Sequence, residues 1–275
     1  MLNTLLVLAV LFDGFFLSLT GIERRYAYPL DPTRIAPADV GLPHVSEHHL
    51  KSGTATLVIW VAPADEGKPT VLYFQGNGGN LANRAQRFQL LTDRGYGLIA
   101  PAYRGSSGST GKPNEDRLTR DALRVWSSLA TFVPGLSPDH MVIYGESLGG
   151  GVALKLLAQP GVTQPTGVVL DSPFTSYPDV ARHLAPDHAR LIAKMTNIWN
   201  NAAHVRTLTA PLLVLHGTAD TLVPYSQGQQ VFEAATSATK HFVSVEGADH
   251  LATWTDQTEP QLWRFIDGLH ALSIP

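Results

Sequence analysis

From Thr54 onward the chain alternates between two hydrophobic periods. Short, almost wholly apolar runs rich in Val, Leu and Ile stand at Thr54–Val61, Val71–Phe74, Gly97–Ala100, Met141–Tyr144, Gly167–Leu170, Leu212–Leu215 and Phe242–Val245. Runs of this kind read as strands buried on both faces of a parallel sheet. Between them lie segments with apolar residues at helical spacing: Leu81–Asp93, Glu115–Phe132, Leu148–Ala158, Tyr225–Ala235 and Pro260–Leu272. In the second of these, Leu118, Leu123, Val125, Trp126 and Leu129 share one face. Strand and helix in alternation predict an α/β fold: a doubly wound, mostly parallel sheet with helices on both faces.

The alternation bounds the organisation of the chain. Residues 54–275 are expected to form one catalytic-sized domain. Residues 177–209 carry no clear strand and look helical at His188–Trp199, so they read either as a small lid over the C-terminal edge of the sheet or as a plain surface crossover. Residues 23–53, with Pro29, Pro32, Pro37 and Pro43, read as a linker or arm. Before them, Leu2 to Ile22 is mostly apolar, and as a helix it would be about 30 Å long, enough to cross a bilayer core. Asp13 lies in its middle, no Lys or Arg precedes it, and no A-x-A-like cleavage site follows. Arg24 and Arg25 lie just after the run. Residues 1–22 are therefore expected to anchor the chain to a membrane or mark it for export, against the alternative of a helix packed on its own domain.

Composition narrows the chemistry. The 20 basic and 23 acidic side chains give a net charge of −3 with no basic stripe, which argues against a nucleic-acid partner. The absence of cysteine excludes thiol catalysis, thiolate metal sites and disulfides. Two glycine-rich stretches fail as phosphate loops. Gly76-x-Gly78 has Leu81 where the dinucleotide fingerprint needs its third glycine, and Gly105–Lys112 is misspaced and followed by Pro113. No H-E-x-x-H and no His/Asp cluster with metal spacing is present, so neither a metal nor a cofactor is expected.

The candidate chemistry starts at Gly145-Glu146-Ser147-Leu148-Gly149, a G-x-S-x-G motif between an apolar run and a helical one. That context lifts Ser147 to the top of a sheet, at the positive end of the following helix. A serine hydroxyl needs a base within hydrogen-bond reach. His250, in a loop after the last strand, is the expected base, with His183 and His204 as competitors among the 11 histidines. Asp220, behind Leu212–Leu215 and a Gly turn, is the expected acid that orients His250, with Asp171 and Asp249 as rivals. The oxyanion donors should be the backbone N–H of Leu148 and that of Asn77, or alternatively Gly76, in the turn after Val71–Phe74. Activity should fall at acid pH, because the imidazole must be neutral to act as base.

From Thr54 to its end the chain resembles the α/β-hydrolase superfamily, and within it the Bem46-like serine hydrolases, a group often membrane-anchored and related to the serine aminopeptidase-like hydrolases. The stretches that carry the resemblance are Tyr73–Asn80, Ala102–Glu115, Gly145–Gly150, Pro173–Ser176 and His216–Pro224, then His250. The resemblance implies catalytic roles for Ser147, Asp220 and His250. It departs at Gln75, where the group has histidine, and at Ser106, where it has an aromatic residue; both positions bear on oxyanion-loop support or the pocket wall. Gln75, Gly76 and Tyr103 are expected to contact substrate. The function expected is a carboxylesterase-like serine hydrolase acting through an acyl-enzyme on a small-molecule ester or thioester. A peptidase or amidase, and a non-catalytic membrane-tethered interaction protein, are the alternatives.

Overall fold

A computed structural model describes residues 20–271. Its eight strands are β1 Ser46–Ser52, β2 Ala55–Ala62, β3 Thr70–Phe74, β4 Gly97–Pro101, β5 Met141–Glu146, β6 Gly167–Asp171, β7 Leu212–Gly217 and β8 Lys240–Val245. They form one sheet in the order β1-β2-β4-β3-β5-β6-β7-β8. The β1/β2 and β2/β4 pairs are antiparallel and the others parallel. This is the doubly wound, mostly parallel α/β architecture expected from the alternation of periods.

The strands have two buried faces because their residues alternate between two cores. Leu72, Phe74, Ile143, Leu170 and Val214 face a core completed by the helices Glu115–Trp126, Leu148–Leu157 and Tyr225–Ala234. Val71, Tyr73, Val142, Tyr144 and Leu213 face the other, completed by Ala85–Thr92 and Glu259–Ala271. All residues of β3, β4, β5, β6 and β7 are buried. After β3 the chain moves outward to β4 and then returns past β3 to β5, so the winding reverses between β3 and β5. Ligands bind in α/β sheets at the C-terminal ends of strands flanking such a reversal.

Three segments differ from the sequence reading. Residues 46–52, assigned to the arm, form β1, paired in register with β2 from Ser46↔Val61 to Ser52↔Ala55. Their signal is weak because β1 is an edge strand with one large apolar residue, Leu50. The Glu115–Phe132 helix breaks at Ser127–Ser128 into Glu115–Trp126 and Leu129–Phe132. In the 177–209 segment the main helix is Tyr177–Leu184, and within His188–Trp199 only Ala189–Ile192 is α-helical. Competing hydrogen bonds explain the irregular backbone there. The Glu23 carboxylate accepts from the Thr196 and Asn197 N–H groups, and Glu115 accepts from those of Ile198 and Trp199.

Residues 1–19, which carry most of the expected membrane segment, lie outside the described residues. Among those described, no helix is long and apolar enough to cross a membrane. Residues 20–27 are helical and continue into a strap along the site.

Candidate active site

The turn at Ser147 is shaped by what its glycines leave room for. A Cβ on Gly149 would lie 1.9 Å from the Phe74 carbonyl oxygen, and one on Gly145 would lie 2.6 Å from Gly150 Cα. Only hydrogen fits at either position, so β5 can run directly into the helix Leu148–Leu157. Ser147 takes φ 50°, ψ −110°, a conformation that L-residues rarely adopt. Its N–H is held by the Asp171 carbonyl at 2.8 Å, and its carbonyl accepts from Gly150 N at 3.0 Å.

Asp220 and His250 come from the loops after β7 and β8. A Cβ on Gly217 would stand 2.2 Å from the Ala248 carbonyl, so this glycine lets the two loops close on each other. Ala219 N donates to Ala248 O at 3.0 Å. His250 Nδ1 lies 2.7 Å from Asp220 Oδ2, and His250 Nε2 lies 3.0 Å from Ser147 Oγ. An ionised carboxylate only accepts, so Nδ1 carries the proton and the Nε2 lone pair faces the serine hydroxyl.

The Asp220 side chain is fully buried and fully partnered. Oδ1 accepts from the N–H of Leu222 at 3.0 Å and of Val223 at 2.8 Å. His216 Nε2, 3.0 Å from the Val223 carbonyl, also lies 3.2 Å from Asp220 Oδ2. Burial pushes the Asp220 carboxyl up. The hydrogen bonds from His216 and His250 outweigh it and hold the group well below the usual carboxylate range.

The rivals fall elsewhere. Asp171 accepts from Arg87, Tyr144 and Thr253, at 2.9, 2.7 and 2.7 Å. Asp249 Oδ1 accepts from the His250 backbone N–H rather than the imidazole. His183 Nε2 sits beside the Thr221 carbonyl on the surface. His204 is depressed by burial and by Lys155 and does not reach Ser147.

The turn after β3 carries the expected oxyanion donors. Gly76 N–H donates to Glu146 Oε1 at 3.2 Å, so it is engaged within the protein. Among the described residues no protein group accepts from the N–H of Asn77 or Leu148. Gln75 and Tyr103, expected to contact substrate, line neither cavity at the site. Gln75 is buried and donates to Ser106 Oγ, and the Tyr103 hydroxyl donates to the Gln75 carbonyl at 2.8 Å. Both therefore brace the turn after β3 from below. Gly76 alone of the three lines a cavity.

Beneath the turn lies an ion network that the sequence reading did not anticipate. Glu146 accepts from Arg84 Nη2 at 2.7 Å, Tyr73 OH at 2.6 Å and Arg87 Nη1 at 3.3 Å. Burial raises the Glu146 carboxyl, but the Arg84 and Arg87 guanidiniums dominate and lower it to about 2. Arg87 also donates to Asp171 and to the Leu251 carbonyl, joining the Ser147 turn to the His250 loop.

Ser147 stands between two cavities. One, of about 360 Å³, is walled mainly by apolar side chains including Phe174, Val180, Leu191, Met195 and Val223. Its outer wall is the helix 20–27, through Ile22, Glu23, Tyr26 and Ala27. The other, of about 660 Å³, is walled by the glycine turn, Arg84, Arg87, Asp249 and His250. Among the described residues no group of three His, Asp or Glu is placed to hold a metal ion.

Comparison with known proteins agrees with this architecture. The profile of the prolyl oligopeptidase family matches residues 82–262. The protein Bem46 of Schizosaccharomyces pombe is 33% identical over 190 residues, 67% of this chain and 62% of its own. The lysophosphatidylserine lipase ABHD12 of Xenopus tropicalis is 29% identical over 256 residues, 78% of this chain and 64% of its own. In both cases the match spans just under two thirds of the relative's length. The Pyrococcus furiosus esterase Pf2001 superposes with a TM-score of 0.69 at 20% identity, covering 89% of this chain and 98% of that one.

Proposed function

Since this chain belongs to the prolyl oligopeptidase family of α/β-hydrolases and is similar to Bem46, we propose that it is a serine esterase that cleaves a lipid-like carboxylic ester or thioester through an acyl-enzyme. The observation that carries the reading is the hydrogen-bonded chain from Ser147 through His250 to Asp220, opening on an apolar cavity. Ser147 Oγ attacks the acyl carbon while His250 Nε2 takes its proton. The N–H groups of Leu148 and Asn77 face the oxyanion. Collapse breaks the bond to the leaving oxygen or sulfur, which receives the proton from His250. Water, deprotonated by the same nitrogen, then releases the acid and restores Ser147. Asp220 holds the tautomer and stabilises the imidazolium.

The lipid character of the substrate is supported by the apolar cavity and by the lipase activity for which one relative is named. The same reading extends to location. Six of the seven large apolar side chains that stand exposed among the described residues border the two cavities: Ile22, Tyr26, Leu184, Leu191, Leu222 and Leu251. Residues 1–22 then serve as an anchor that keeps this rim at a lipid surface. Residues 54–275 form the hydrolase domain, joined by β1 and the strap, and residues 177–209 its lid. The full chain should float with neutral liposomes, and a chain lacking residues 1–19 should bind them more weakly. Equal binding by both would remove the anchor from the proposal.

Labelling with a fluorophosphonate, followed by peptide mapping, tests the chemistry. One adduct on Ser147, with loss of p-nitrophenyl ester turnover in Ser147→Ala, is the expected result. Full turnover by Ser147→Ala would overturn it. The name of the matched family favours a peptidase as the second reading. Release of amino acids from peptides faster than hydrolysis of any ester would put that reading first.

A further inference from the structure

His250 indicates which part of an ester enters which cavity. Its Nε2 must deliver a proton to the leaving oxygen, and His250 lines the larger cavity but not the apolar one. The alcohol therefore departs into the larger cavity, and the acyl chain occupies the apolar one. This orientation rests on the esterase reading above.

The charges around the larger cavity then bear on the alcohol. Among the described residues, Arg84 and Arg87 are the only Lys or Arg side chains in its wall. Neither presents a free positive charge. Arg84 is bound by Glu146 and by the carbonyls of Gly78 and Asn80. Arg87 is bound by Glu146, Asp171, the Tyr73 hydroxyl and the Leu251 carbonyl. Two buried carboxylates thus match the two guanidiniums. The remaining charged wall residue is Asp249, exposed, whose carboxylate accepts from the His250 backbone N–H. An anionic group on the alcohol would meet this carboxylate with no unengaged guanidinium to offset it.

We propose that the larger cavity selects esters of neutral polar alcohols and discriminates against anionic ones, with the Arg84–Glu146 and Arg87–Asp171 pairs and Asp249 setting that selectivity. The polar wall suits hydroxyl groups, because Gly76, Gly78 and Gly79 bring backbone to its surface and Asn77 and Asn83 are neutral amides. The repulsion acts across a water-filled cavity, so its size is that of a screened pair of charges rather than of a buried one.

The test is a matched pair with one acyl chain, 1-oleoylglycerol and 1-oleoylglycerol 3-phosphate, in the same neutral detergent micelles. The full chain should turn over the neutral ester with a kcat/KM at least about tenfold higher. Asp249→Asn keeps an acceptor for the His250 N–H and removes the charge, and should narrow the ratio about threefold. Leu251→Lys adds a cation to the wall and should narrow it about tenfold. Because each figure is a ratio within one variant, a change in His250 geometry or in folded fraction cancels. Equal or faster turnover of the phosphate ester, or an unchanged ratio in both variants, would overturn the proposal. So would turnover of neither glyceride by protein that still labels at Ser147. Failure of the esterase reading shows separately, as no fluorophosphonate adduct on Ser147.

Discussion

Glu146→Gln isolates the electrostatics beneath the nucleophile turn without changing its shape. The Glu146 side chain is 6% exposed, and those of its partners Arg84 and Arg87 are 11% and 15% exposed. A carboxyl held at about 2, against its ordinary 4.5, corresponds to about 3 kcal/mol of stabilisation at pH 7. Removing one member of a buried ion pair independently points to about 3–5 kcal/mol, because the partner is left desolvated and uncompensated. Glutamine keeps an acceptor for Gly76 N–H, Arg84 keeps the Gly78 and Asn80 carbonyls, and Arg87 keeps Asp171. The lower figure, about 3 kcal/mol, is therefore the expectation, equivalent to a fall in Tm of about 10 °C for a domain of this size.

Urea unfolding followed by linear extrapolation, with calorimetry alongside, reads both quantities. The pH dependence gives a sharper check. The folded-state carboxyl lies below its unfolded value, so its contribution is complete above about 4.5 and is lost as pH falls toward 2. The wild-type chain should lose stability faster than Glu146→Gln across that window, and the gap between them should shrink. A variant within about 1 kcal/mol of wild type at pH 7, or a gap that stays constant down to pH 3, would refute the assignment. Replacing Arg84 by Met in the Glu146→Gln background should recover part of the loss, since deleting both members of a buried pair costs less than deleting one.

Three further outcomes follow from the site. Gly149→Ala places a Cβ against the Phe74 carbonyl, so the helix after Ser147 must shift, and ester turnover should fall by about a hundredfold or more; wild-type turnover with an unchanged circular dichroism spectrum would contradict the account of the turn. Asp220→Asn removes the charged acceptor for His250 Nδ1 and should lower kcat by about 10⁴, with fluorophosphonate labelling of Ser147 slowed alongside; a loss under tenfold would assign the acid role elsewhere. Ala181→Phe fills part of the apolar cavity, so kcat/KM for a long-chain ester should fall at least about tenfold more than for an acetyl ester, and a uniform effect would mean that the acyl chain lies elsewhere.

The parallel strands were legible because their burial on both faces forces continuous apolar runs, as in Met141–Tyr144 and Leu212–Leu215. β1 was not, because an edge strand needs few apolar residues and Ser46–Ser52 has mainly polar ones. The placement of Ser147, Asp220 and His250 was legible for a local reason: each follows a strand, and parallel strands deliver their C-terminal ends to one edge of the sheet. The supporting residues carry no such local mark. Arg84 and Arg87 sit in a helical stretch where arginine ordinarily marks a solvated face, and their partner Glu146 is 62 and 59 residues away. The sequence leaves Gln75 either supporting the turn after β3 or touching substrate, and puts Tyr103 at the substrate, because proximity to that turn does not say which side of it a side chain occupies. A buried polar side chain there needs a partner, and both found one beneath the turn.

The strap of residues 20–31 gives the same lesson its strongest form, since it joins the two working parts of the site. At one end the Glu23 carboxylate accepts from Thr196 N and Oγ1 and from Asn197 N and Nδ2, at 2.7–3.1 Å, closing the apolar cavity against the 177–209 segment. At the other, the Ala27 carbonyl accepts from Asn77 Nδ2, the Pro29 carbonyl from Gly79 N, and the Gly79 carbonyl from Asp31 N. The turn that carries Asn77, the proposed oxyanion donor, is therefore braced on its outer side by the segment that walls the apolar cavity. Tyr28 ties the two ends together, its hydroxyl donating to Asn197 Oδ1 at 2.7 Å and accepting from Trp199 Nε1 at 3.0 Å. A carboxylate with four protein donors holds its segment far more firmly than a solvated glutamate would. A displacement of residues 20–27 thus acts on the apolar cavity and the Gly76–Gly79 turn together, and residues 23–31, which the sequence suggests are part of a linker or arm, belong to the site's frame.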